Sequence, residues 1–407
     1  MEDKHKKIKY DPWLMIPYLF LSVIGILMVY SASANITQSG MASMSATHYL
    51  YRQLGFFGAG FLLIIFFSLL KFSVLKNRYI TNLFLVFVIL MLFFLLFKGK
   101  AINGAAAWIS VGPLNLQPSE FAKLAITLYL ARILSMREKN LNPTWKGLKD
   151  YFKSIFAPLI LVAIVCFFVF FQPDTGGFMS LSLITIMIVA ISGIPWYIGV
   201  STVLVLSFSG AAIIYKIMDL YNKGALKGAP YQLVRVIAFA DPWRNSDASG
   251  VQLTNSYFAI NNGGWFGVGI GNSIQKHGFL PEQNTDFILS IVSEELGAIT
   301  VILILIAIFM IVIRAVVLAI RCRNNYNSML CIGIATTFFA QTVFNVGGVS
   351  GLLPITGVTL PFISYGGSSV LLLSIELGIL FHVSNQDRLR RIEGKSIDKK
   401  NKNDHIH

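Results

Sequence analysis

FLPEQNTDFILSIVSEELGAITVILILIAIFMIVI, residues 279–313, begins with polar and acidic side chains and then runs uncharged from Leu296 to Ile313. At ~1.5 Å per helical residue, the stretch 286–313 is long enough to cross a hydrocarbon layer of ~30 Å. Comparable apolar stretches recur along the chain. Its 407 residues are 55% hydrophobic and 13% charged, with mean hydropathy +0.67, which excludes a soluble multidomain protein. The reading is an all-α polytopic membrane protein.

Ten candidate spans cover 13–32, 54–71, 79–97, 118–135, 154–172, 176–194, 196–215, 286–313, 329–349 and 366–384. The first imitates a secretory signal but is longer than a signal core of ~7–15 residues, so it is read as a retained span. The fourth is the least apolar, with Glu120, Lys123 and Arg132. Lys and Arg in short loops stay on the cytoplasmic side. An inside N-terminus puts most of the basic residues there and leaves both termini cytoplasmic. The expected organisation is a cytoplasmic N-terminus (1–12), a ten-helix membrane domain (13–384) and a basic cytoplasmic tail (385–407). The tail, charged and without periodicity, is expected to be disordered.

One long connection, about 216–285 between spans seven and eight, then lies outside. Its aromatic and aliphatic content marks it as ordered, and a loop of this length is usually functional. It has no counterpart in the first half, so the inverted repeats common in transporters are not visible. Polar segments rich in Pro and Gly also gather outside: 103–123, QPDTGG (172–177), the PEQNTD end of the long loop, and 350–369. A site on the outer face follows.

The net charge is +14, yet Glu282, Asp286, Glu294 and Glu295 crowd the opening stretch. Asp286 stands at a helix entry, where a carboxylate meets unsatisfied N–H groups. Glu294 and Glu295 come eight and nine residues later, inside the expected span. At that depth they must face the bundle interior or a wet cavity. Lys123 is the cation at comparable depth, and Glu120 shares its helix face. A structural lysine–glutamate pair and a polar path for a headgroup, ion or proton both fit these groups. Gln117-Pro118-Ser119-Glu120 is a good helix entry and Pro173-Asp174-Thr175 a tight turn. Trp108 is either an interfacial anchor or a substrate platform. GVGIG (267–271) lacks the strand and spacing of a nucleotide loop. Cys166, Cys322 and Cys331 form no disulfide framework, the histidines no metal-ligand pattern, and no organic cofactor or nucleic-acid partner is expected.

NGAAAWISVGPLNLQPSEFAKLA, QPDTGG, NSYFAINNGGWFGVGIGNS, FLPEQNTDFILSIVSEELG and GLLPITGVTLPFISYGGSS, in this order, resemble the SEDS family (shape, elongation, division and sporulation), which comprises the FtsW and RodA proteins. MVYSAS (28–33) and GVTLPFISYGGSS are more like the FtsW, or division, branch. The resemblance implies a ten-span peptidoglycan glycosyltransferase. Such an enzyme polymerises lipid II on the outer face of the bacterial cytoplasmic membrane, at the division septum, beside a class B penicillin-binding protein and other divisome membrane proteins. It places the family's essential aspartate on Asp286 and its loop tryptophan on Trp108. Many members carry Arg, Lys or Ser before that tryptophan; here it is Ala107.

In that reaction a sugar hydroxyl attacks an anomeric carbon as a lipid diphosphate leaves, with Asp286 as general base. Substrate-binding candidates are Trp108, Lys276, Glu282, Arg244, Lys123 and Glu120, with Arg235, Lys98 and Lys100 as further cations for the diphosphate. Glu294 and Glu295 are read as cavity-lining or structural. A divalent cation, Mg²⁺ or Mn²⁺, held partly by the diphosphate would need few protein ligands. The other readings are a lipid II flippase using Glu120, Lys123, Glu294 and Glu295, the elongation (RodA-type) polymerase, and a structural hub.

Overall fold

The computed structural model describes residues 10–34, 45–98, 100–102, 105–111, 114–137, 145–193, 196–223, 231–244 and 250–404. It is mainly helical: α1 (Pro12–Ser33), α2 (Ala46–Leu69), α3 (Phe72–Leu75), α4 (Arg78–Lys98), α5 (Pro118–Arg137), α6 (Trp145–Phe171), α7 (Thr175–Ala190), α8 (Trp196–Asn222), α9 (Tyr231–Ala240), α10 (Val251–Gly263), α11 (Ile288–Arg321), α12 (Asn325–Ser350) and α13 (Gly367–Asp404). Among the described residues, six helices are long and apolar enough to cross a membrane: α1, α2, α4, α11, α12 and the part of α13 up to Ile392. The remaining expected spans fall on α5, α6, α7 and α8.

Helix entries follow local chemistry. Asp11 accepts from the Trp13 amide at 3.1 Å ahead of Pro12, and Asn324 accepts from the Tyr326 amide at 3.1 Å. α12 and α13 form the centre, each 78% buried over its most apolar stretch; α11 packs against α12 and α1, α2 along α13, and α5 against α12 and α7. By contrast α2 and α4 are only 28% buried and expose Phe61, Leu62, Phe87, Leu90 and Phe93. An apolar belt of that extent suits lipid rather than water.

Four features differ from the expectations. Between α4 and α5 a small antiparallel sheet forms, β1 (Lys100–Ile102), β2 (Ala105–Val111) and β3 (Leu114–Leu116), so the chain is not purely helical. Short apolar runs separated by Asn-Gly and Gly-Pro are hairpin chemistry. α8 runs past the expected span end at 215 to Asn222, into the connection expected to be ordered, where α9 and α10 follow. The tail carries helix α13 on to Asp404, because a helix already nucleated within the bundle extends at little cost.

The fourth is a break in α11. Gly297 adopts φ 79°, ψ 171°, a conformation that L side chains rarely reach, so the helix divides into 288–296 and 298–321. The orphan groups at the break are taken up by residues 264–269. Val268 and Gly269 donate their amides to the carbonyls of Glu294 (2.9 Å) and Glu295 (3.0 Å), and Ala298 and Ile299 donate to Gly264 (2.9 Å) and Trp265 (3.3 Å). Irregular backbone is tolerated there because the long connection supplies these hydrogen-bond partners.

Candidate active site

Pro281 to Phe287 forms a tight turn ahead of α11, and its backbone is pinned from several sides. Thr285 and Phe287 donate their amides to the Glu282 carbonyl at 3.2 and 3.1 Å. The 355–365 segment grips the same turn: Tyr365 donates its amide to the Asn284 carbonyl at 2.8 Å, and Ser364 its hydroxyl to the Thr285 carbonyl at 2.7 Å. From α12, Asn345 donates to the carbonyls of both Asp286 and Val358 at 2.8 Å. Glu282 is held at φ 57°, a left-handed conformation that costs about 1–3 kcal/mol and persists only when its surroundings impose it.

This turn forms one wall of a cavity of about 230 Å³. Asp286, Glu282 and Thr285 face it from the turn, Trp108 and Ala107 from β2, and Arg52, Arg235, Asp174 and Tyr365 from other elements. Gly176 permits one of these approaches, since a Cβ there would lie 2.8 Å from the Thr356 carbonyl oxygen and against Val358. Asp174 caps α7 by accepting from the Gly177 amide at 2.7 Å, and accepts from Ser119 (2.6 Å) and Gln117 (3.0 Å) at the α5 entry. The two motifs that read separately as a helix entry and a turn are thus one junction.

Asp286 is half-buried, two residues ahead of α11, and its carboxylate has no hydrogen-bond partner among the described residues. Burial, then the negative charge of Glu282, push it up to about 7, against a lowering by Arg235. Glu282 accepts from the Thr285 hydroxyl at 2.7 Å. Among the described residues no three His, Cys, Asp or Glu side chains cluster as a metal site.

The other predicted residues lie elsewhere. Lys276 is 2% exposed and pairs with Glu295 at 2.7 Å, away from the cavity. Glu295 also accepts from the Ser31 hydroxyl of α1 at 2.6 Å. Glu294 accepts from Asn262 (2.9 Å), the Ser273 hydroxyl, and the amides of Ile274 (3.1 Å) and Gln275 (3.3 Å). Both glutamates lie on α11 and are buried, and they meet α1 and the long connection just ahead of the break at Gly297. Lys123 pairs with Glu120 one turn away at 2.7 Å, and Gln341 donates to Glu120 at 3.2 Å. Buried Glu376 of α13 joins that cluster. Arg244 is exposed beside the Tyr221 ring at 5.8 Å. The side chains of Lys98 and Lys100 lie outside the described residues. Asp174 and Tyr365 lie in polar segments that the sequence singled out, though not as site residues, while Arg52 and Glu376 carried no functional signal; only the fold brings Arg52, Asp174 and Tyr365 to one cavity.

A polytopic helical membrane protein with a polar cavity at one end of its bundle is the class that fold and site define. The chain belongs to the family described as "Cell cycle protein" (FtsW, RodA and SpoVE), whose model matches residues 12–389. It is similar to the Bacillus subtilis "Probable peptidoglycan glycosyltransferase FtsW", 35% identical over 92% of this chain and 90% of the relative. It is also similar in structure to a chain of a peptidoglycan synthase complex that coordinates polymerisation and crosslinking, with 28% identity, TM-score 0.71, and coverage of 94% of this chain and 99% of that one. The rod-shape-determining protein RodA of Thermus thermophilus matches with 25% identity and TM-score 0.64, over 94% of this chain and 98% of that one.

Proposed function

We propose that the chain is a peptidoglycan glycosyltransferase of the division type, polymerising lipid II on the outer face of the cytoplasmic membrane with Asp286 as general base. One observation carries this reading: a carboxylate held by its backbone, without a hydrogen-bond partner among the described residues, faces a cavity that two arginines also line. Ionised Asp286 takes the proton of the attacking sugar hydroxyl as that oxygen bonds to the anomeric carbon. The bond to the diphosphate oxygen breaks, and the leaving group departs as an anion. Arg52 and Arg235 supply positive charge where it develops. A single displacement inverts the anomeric centre and needs one catalytic carboxylate, unlike the paired carboxylates of glycosidases. Trp108 offers an aromatic face for a sugar ring.

A divalent cation fits as an auxiliary: Asp286 and Glu282 are hard oxygen donors, and a diphosphate would complete the shell. It would neutralise charge on the leaving group. Ten spans with both termini cytoplasmic agree with the distribution of Lys and Arg and put the cavity outside. A class B penicillin-binding protein is the expected partner, supported by the likeness to a synthase complex.

The test is polymerisation of purified lipid II by the chain with its partner, wild type against Asp286→Asn. Loss of glycan product with retained folding is expected. Polymerisation undiminished in the variant overturns the assignment.

A further inference from the structure

Three cations are buried among the described residues: Lys123, Lys276 and Arg132. Both lysines have a carboxylate at 2.7 Å. Arg132, near the end of α5 and 7% exposed, has none among the described residues. One nitrogen, Nη2, donates to Asn82 Oδ1 at 2.6 Å, while Nε is buried without a partner among the described residues. A guanidinium carries five N–H donors in a planar fork suited to phosphate and carboxylate oxygens. A buried charge is normally compensated, and among the described residues this one has no carboxylate partner. A side chain merely reaching for the membrane surface, or neutralising the end of its helix, would leave its head in water.

A cavity of about 470 Å³ opens beside it, at the end of the bundle opposite Asp286. Among the described residues its lining is Lys76, Arg78, Asn82, Arg132 and Met136, none of them acidic. Lys76 and Arg78 are exposed at the rim. The Lys76 ammonium lies 5.9 Å from the Tyr326 ring, whose hydroxyl donates to the Leu75 carbonyl at 3.1 Å and so anchors the short α3–α4 corner.

We propose that this cavity binds the phosphate of an anionic lipid headgroup or of a free phosphate compound, with Arg132 as buried anchor and Lys76 and Arg78 as rim cations. Three positive groups around a pocket between membrane helices match the chemistry by which such proteins hold phospholipid heads. The proposal is independent of the polymerase reading, since no residue is shared with the Asp286 cavity.

The full chain purified in detergent is titrated with dioleoyl phosphatidylglycerol and, separately, with dioleoyl phosphatidylcholine, and bound lipid is counted by native mass spectrometry. One phosphatidylglycerol retained in preference to phosphatidylcholine is expected. The surface variant Lys76→Gln/Arg78→Gln should weaken it by about 30-fold, near fivefold per charge. Arg132→Gln should abolish retention, and if that variant does not fold, the surface variant decides. Millimolar inorganic phosphate separates the sources: lipid that stays bound identifies a headgroup site, whereas lipid displaced by phosphate identifies a site for free phosphate compounds. Equal retention of phosphatidylglycerol by wild type and the surface variant, or none above phosphatidylcholine in wild type, overturns the proposal.

Discussion

Two pairs of carboxylates lie within fourteen residues of one another and live in opposite circumstances. Glu294 and Glu295 are 0% and 1% exposed, and their oxygens are taken by a lysine, two serines, an asparagine and two backbone amides. Asp286 and Glu282 are half-buried and face open cavity, and Asp286 accepts no hydrogen bond among the described residues. Saturated carboxylates bind a structure together; an unsaturated one held by its backbone remains free to take a proton. On the proposed function, partner count together with burial separates a supporting carboxylate from a reacting one.

That contrast predicts which substitution disturbs activity and which disturbs folding. Asp286→Asn should lower polymerisation by about 10²–10⁴-fold, the usual worth of a general base, without lowering the unfolding temperature. A lipid II gel assay and thermal unfolding in detergent check both halves. Lys276→Met should act in the opposite sense, destabilising by about 3–5 kcal/mol because it strands Glu295 in the interior. If it unfolds at the wild-type temperature, the supporting role of the glutamates is wrong. Gly297→Ala should cost about 1–3 kcal/mol through its forbidden backbone angles, read by the same unfolding experiment.

The smallest effect concerns pH. A base with a pKa of about 7 is half protonated at neutrality, so polymerisation should rise as pH increases through 7 and level off above it. Glu282→Gln removes a neighbouring negative charge and should move this acid limb to lower pH. An unmoved limb in the pH–rate profile would disconnect the two carboxylates.

Much of the helical frame is legible in the chain, since apolar runs and end signals are local. The polar segments rich in Pro and Gly are legible too, and Asp286, Glu282 and Trp108 do line one cavity. What escapes is long-range. The break at Gly297 is stable only because residues 264–269 supply its hydrogen bonds, and nothing local announces that. Lys276 and Glu295 pair across nineteen residues, while Lys123 lies just as plausibly placed on the sequence; only the fold chooses. Arg52 and Asp174 reach the cavity from separate elements, so neither stands out by spacing. The three-stranded sheet did leave a trace, in Asn-Gly and Gly-Pro.

Asn345 grips the carbonyl of Asp286 rather than its side chain. The backbone around that residue is therefore indifferent to what the side chain carries. An isosteric amide at 286 should keep the shape of the cavity while stalling the reaction, which makes that variant a trap for capturing the bound donor and acceptor together.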